Sequence, residues 1–123
     1  MFWRAIGRLV HKMKWTRTKI AGWNRRTFVG IKSESQLRKV CGECEEFFCA
    51  RDYANKLEEL ADIYICAASL WQRFHNYLGL FIVRVIEKLK QWPEIQKAVD
   101  IKMEINVGRT FDENMHHIEE KQE

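Results

Sequence analysis

Nine consecutive residues, Ile63 to Trp71, carry no charge: Ile-Tyr-Ile-Cys-Ala-Ala-Ser-Leu-Trp. They fall in a stretch, about Lys56 to Asn76, that reads as helix. A helix with no polar face has to be buried on all sides. Few strand or turn signals compete with a helical reading, since the chain has one proline, Pro93, and six glycines in 123 residues. That length suits one domain and is short for two. The expected fold is an all-α bundle of four to five helices, with antiparallel neighbours joined by short loops. The uncharged face also exceeds what a small monomer needs, which points to a homodimer or homotetramer.

Along the chain, residues 2–20 read as an amphipathic helix with Trp3, Ile6, Val10 and Met13 near one face. Gly22 to Gly30 reads as a loop or short turn. Ser33 or Ser35 is placed to cap a helix running to about Asp52, with an apolar stripe of Leu37, Val40, Cys41, Cys44, Phe47 and Phe48. Asn55 is placed to cap the next helix. Gly79 and Pro93 then bracket a helix over about Leu80 to Gln91, and a last one covers about Glu94 to Val107, ending at Gly108. The domain is expected to span 1–111, with 112–123 a polar, fraying tail.

Charge is divided unevenly. Residues 1–40 hold eleven Lys and Arg against one acid, Glu34, whereas residues 41–123 hold ten basic and sixteen acidic residues. A basic end of this kind attracts phosphates, nucleic acid or an anionic surface, and it is equally the mark of a solvated cationic helix. It leaves open a second class of function: a non-catalytic helical protein that binds nucleic acid or a partner through the basic N-terminal segment. No apolar run is long enough to span a bilayer, and no signal-peptide core precedes the four cysteines, so a cytoplasmic protein without a disulfide framework is expected. Cys41-x-x-Cys44, Cys49 and Cys66, with His116-His117, invite a zinc reading. However, the cysteines fall within helical stripes, where free cysteine is a common core residue, and not on turns.

The chemistry concentrates in two acidic pairs, Glu43 with Glu46 and Glu59 with Asp62. Each pair is spaced i, i+3, so each points one way from its helix. Glu43 borders an apolar stripe, and Glu59 and Asp62 sit where their helix enters the core. Gathering four carboxylates in one small volume is unfavourable unless a cation fills it. All-oxygen ligands suit Mg²⁺ or Mn²⁺, and Mg²⁺ commonly travels with substrate phosphates. Further along, Lys102, Asn106 and Arg109 follow at i, i+4, i+7, a face suited to clamping phosphates if the helix continues through Gly108. Trp15, Trp23 and Phe28 could line a base pocket, although core or interface packing is the commoner use of such residues.

These residues carry a resemblance. Gly42-Glu43-Cys44-Glu45-Glu46 followed by Glu59-Leu60-Ala61-Asp62-Ile63 resembles the MazG-like nucleoside triphosphate pyrophosphohydrolases, whose pattern is Glu-Glu-x-x-Glu, a short spacer, then Glu-x-x-Asp. Lys102 to Phe111 also resembles their C-terminal pattern of Lys, Asn, Arg and a final aromatic. The resemblance implies an all-α, oligomeric enzyme in which Glu43, Glu46, Glu59 and Asp62 bind Mg²⁺. It further implies cleavage between the α and β phosphates to give a nucleoside monophosphate and pyrophosphate. Glu43 is the candidate for orienting the attacking water. Two departures stand out: Gly42 occupies the position of the first Glu, and the spacer is short.

Overall fold

The computed structural model describes residues 14–112 and 115–118. Among them five helices follow in order: α1 (Arg17–Thr27), α2 (Ser33–Cys49), α3 (Tyr53–Phe74), α4 (Tyr77–Glu87) and α5 (Trp92–Val107). A short antiparallel pair, β1 (Thr110–Phe111) with β2 (His117–Ile118), follows them. This is the all-α bundle that the helical spacing predicts. No helix among the described residues is long and apolar enough to cross a membrane.

The hub is α3, against which α1, α2, α4 and α5 all pack. Its charge-free run explains why: Ile63, Tyr64, Ile65, Ala67, Ala68, Ser69 and Leu70 are all buried. The small side chains let neighbours come close. At Gly79 of α4, an added Cβ would lie 2.6 Å from the Ala67 carbonyl oxygen and 2.7 Å from the Trp71 amide nitrogen. One chain thus covers the uncharged face that suggests an oligomer, and that face is not available to a second subunit.

Local signals set the ends of α3 and α4. Asp52 caps α3 by accepting from the Asn55 N–H at 2.8 Å. His75 ends it in the left-handed region at φ 54°, its N–H turned back to the Leu70 and Trp71 carbonyls. Asn76 at once caps α4, its side chain accepting from the Leu78 N–H at 2.9 Å. Pro93 sits in the first turn of α5, where a missing N–H costs nothing.

Several expected boundaries move. The amphipathic helix over 2–20 lies largely outside the described residues, but residues 14–16 are not helical and α1 starts at Arg17. Most of the segment read as a loop from Gly22 is helix. Thr16 caps α1, and burial of Ile20, Trp23 and Asn24 offsets the roughly 1 kcal/mol that a mid-helix glycine costs. Only Phe28 to Lys32 turns, with Gly30 at φ 81°. Neither Ser33 nor Ser35 caps α2; Lys32 holds that position without a side-chain bond. Asp52, not Asn55, caps α3. Gly79 lies inside α4 because it meets α3, and α4 spans Tyr77–Glu87 instead of Leu80–Gln91. Of the tail 112–123, expected to fray, residues 113, 114 and 119–123 lie outside the described residues; within the rest β2 returns against β1, and Met115 is buried at φ 62°.

Two glycine-to-alanine changes test this packing with opposite signs. At Gly79 the added methyl meets backbone, so Gly79→Ala should lower stability by about 1–3 kcal/mol despite alanine's better helix propensity. At Gly42 the added Cβ meets nothing within 4 Å. Gly42→Ala should therefore raise stability by up to about 1 kcal/mol. Urea melts of both variants read the signs directly; a neutral or stabilising Gly79→Ala would mean α4 does not seat so closely on α3.

Candidate metal and phosphate site

Helix α2 delivers Glu43 from its buried stripe, where Gln36, Val40 and Glu43 follow at i, i+4, i+7. Helix α3 delivers Glu59 and Asp62 just before its charge-free run. Glu43, Glu46 and Glu59 each offer a carboxylate oxygen within 4.8 Å of the others. Two oxygens on opposite sides of Mg²⁺ lie about 4 Å apart, so little adjustment would bring these into one shell. Glu43 is 8% exposed. Its Oε2, and the Oε2 of Glu59, are buried without a hydrogen-bond partner. A buried acceptor left unpaired costs about 1–3 kcal/mol. Two such oxygens in one all-carboxylate cluster fit a hard divalent cation. Asp62, expected as a fourth member, stands beside the three, with Lys102 Nζ 3.3 Å from its Oδ2.

Crowding and burial disfavour the charged forms. Burial, then the Asp62 charge, pushes the Glu43 carboxyl up to about 7, with Lys39 pulling the other way. Lys39 Nζ lies 3.2 Å from Glu43 Oε1. The Glu59 carboxyl is also raised, by burial and then by Asp62 and Glu46. Burial raises Asp62, opposed by Lys102.

Two of the four acids, Glu43 and Asp62, open onto a cavity, whereas Glu46 and Glu59 are not part of its wall. Glu43, Asp62 and Lys39 line it together with Lys102, Asn106 and Arg109. The i, i+4, i+7 face thus reaches the acids: α5 carries Lys102 and Asn106, and Arg109 follows Gly108 at the helix end. Trp23, Phe28 and Phe111 form another part of the wall, in edge contact with ring centroids 5.1–5.9 Å apart. Trp23 and Phe28 therefore stand where a planar group could stack. A second hollow touches the other side of Glu43 and includes Arg38, Lys39, Gly42, Glu46 and His116.

Trp15 does not join this site. Its indole N–H donates to Glu104 Oε1 at 3.1 Å and its backbone N–H to Asp100 Oδ1 at 2.8 Å, so it anchors the start of the described chain to α5. The cysteines do not gather: Cys41 and Cys49 are exposed, as is Phe48, so the expected stripe of α2 is narrower, and Cys66 alone reaches the cavity. Sequence reasoning missed Lys39, although its i, i+4 spacing to Glu43 was there to read. It also missed Asn24 and Gln36, two buried amides in the cavity wall for which no local pattern exists. Met115, His116 and His117 reach the two hollows only because β2 folds back.

The raised Glu43 carboxyl has a sign that can be checked. Its stabilising contribution is complete below the ordinary value of 4.5 and is lost as pH rises through about 7. Above that pH the metal-free protein holds an unfavourable buried charge of about 3 kcal/mol at most. Thermal melts in a chelator should therefore fall more steeply from pH 5 to pH 8 for the native chain than for Glu43→Gln. Millimolar Mg²⁺ should restore the melting point at pH 8 and do little at pH 5. Equal pH slopes for the two proteins would refute the buried-charge account.

No protein-family model, curated protein or solved structure matches the chain, so any functional reading rests on these residues and their geometry.

Proposed function

We propose that the chain is a MazG-like, Mg²⁺-dependent nucleoside triphosphate pyrophosphohydrolase, converting a (d)NTP to the (d)NMP and pyrophosphate. The observation that carries this reading is that one cavity is lined by acids, by cationic and amide donors, and by aromatic rings. A nucleotide needs all three: a metal-bound phosphate end, donors for the outer phosphates, and a stacking surface for the base. The same residues supply the family-like motifs in the sequence.

Each group has a role in that reading. Glu43, Glu46 and Glu59 would hold the ion, with Asp62 beside them. Bound Mg²⁺ neutralises phosphate charge and makes a water more acidic. Lys102, Asn106 and Arg109 bind the departing β and γ phosphates. Glu43 borders both hollows and has two carboxylate oxygens, so with one on the ion the other would orient the water and accept its proton. The water oxygen bonds to the α-phosphorus, and the bond from that phosphorus to the bridging oxygen breaks. Pyrophosphate leaves with the electron pair. Gly42 leaves open space where the family has a carboxylate, so the chain works with one acid fewer.

The proposed working form is a homodimer or homotetramer in the cytoplasm, serving to limit unwanted nucleotides. Tyr77, Phe81 and Val85 support the first part, as an exposed apolar ridge at i, i+4, i+8 along α4. Four free thiols support a reducing compartment.

The test is product analysis with a panel of nucleoside and deoxynucleoside triphosphates, with and without Mg²⁺. Pyrophosphate and the monophosphate should appear only with the metal, and Glu43→Gln should lower the rate about a hundredfold or more. Orthophosphate as the product would refute cleavage at the α-phosphorus. No product from any nucleotide, together with salt-sensitive DNA or RNA binding, would favour a non-catalytic nucleic-acid-binding protein instead.

A further inference from the structure

Among the described residues, Lys39 is the one cation that borders both hollows. It rises from α2 one turn before Glu43, and its ammonium lies 3.2 Å from Glu43 Oε1. From the far side, Lys102 of α5 stands 3.3 Å from Asp62 Oδ2. Each lysine engages a different acid, and the two unpaired buried oxygens belong to Glu43 and Glu59. The acids are thus partly neutralised by the chain itself, while one buried oxygen each of Glu43 and Glu59 stays unsatisfied.

We propose that Lys39 is an internal counter-ion for Glu43 that gives way to a divalent cation and then serves as a phosphate-binding residue. The inference rests on the metal and triphosphate reading above and adds a residue and an order to it. A divalent ion beside Glu43 repels the Lys39 ammonium and competes for the same carboxylate. The side chain is 28% exposed, so it has room to swing without unpacking the core. Once displaced, it borders the cavity that holds Lys102, and the two ammonium groups can bind the oxygens of one polyphosphate. Without the ion, both lysines are held by carboxylates and those same acids repel phosphate. The metal therefore binds first, and polyphosphate affinity depends on it.

This arrangement makes two opposed predictions for a single substitution. Lys39→Met removes the competing charge and keeps the length of the side chain. In calorimetric titrations with Mn²⁺ alone, it should bind the ion about tenfold more tightly than the native protein, as expected for losing a close, part-buried charge pair. In saturating Mn²⁺, it should bind inorganic tripolyphosphate about tenfold more weakly. Lys39→Arg, which keeps the charge, should leave the metal affinity near the native value. Should Met disturb folding, as read by helical circular dichroism, Lys39→Gln makes the same test. Native protein that binds Mn²⁺ as tightly as the uncharged variants would overturn this inference and leave the metal site standing. Unchanged tripolyphosphate affinity in those variants would overturn the phosphate role. Native protein that takes up no Mn²⁺ would overturn the metal reading, and this inference with it.

Discussion

A single helix has to be apolar all round and yet deliver two acids, and the rest of the structure follows from that conflict. Helix α3 is covered on every side by α1, α2, α4 and α5. That cover makes its charge-free run stable, and it also places Glu59 and Asp62 at the edge of a medium that resists charge. Helix α2 adds Glu43 from a core-facing position. The protein therefore holds carboxylates where ionisation is costly and where an opposite charge counts for most.

Other polar groups inside the bundle are handled differently. Glu87 of α4 receives the Tyr64 hydroxyl at 2.7 Å and pairs with Arg17 of α1, so its carboxyl lies below the ordinary value. Burial alone would raise it; the Arg17 and Tyr64 hydrogen bonds reverse the sign. The contrast with Glu43 lies in partners rather than in residue type. Glu87 has its donors within the chain, whereas Glu43 has one lysine for two oxygens, and that imbalance distinguishes a binding site from a structural ion pair.

What could be read from the sequence was what repeats at helical spacing. The acid pairs and the Lys102-Asn106 step depend on a three- or four-residue period; Glu43, Glu46 and Glu59 come together as that period puts them, whereas Asp62 pairs with Lys102 and Arg109 lies beyond the end of α5. Helix α1 was hidden because Gly22 and Gly30 look like turn punctuation, whereas burial of Trp23 and Asn24 decides the matter at long range. Gly79 misled for the same reason: its use is close approach to α3, which no local rule reports. Trp15 and Trp23 are both aromatics near a basic end, and only the fold separates an anchor on α5 from a wall of the cavity.

The cavity wall is held by a ring of hydrogen bonds that runs one way. Arg73 of α3 donates to Asn24 Oδ1 at 2.9 Å; Asn24 Nδ2 donates to Gln36 Oε1 at 3.2 Å; Gln36 Nε2 donates to the Cys66 carbonyl oxygen at 3.0 Å. A guanidinium can only donate, so it fixes which way the Asn24 amide faces, and that in turn fixes Gln36. The ring leaves α3 at Arg73, crosses α1 and α2, and returns to α3 at Cys66. It ties the helix that carries Trp23 and the helix that carries Glu43 to the same hub. A slip of either helix along α3 would break two bonds made by a buried amide, Asn24 or Gln36, which is costly to leave unpaired. The aromatic wall and the acids are thus held in register on one hub, which a site built for one elongated, charged and partly planar ligand requires.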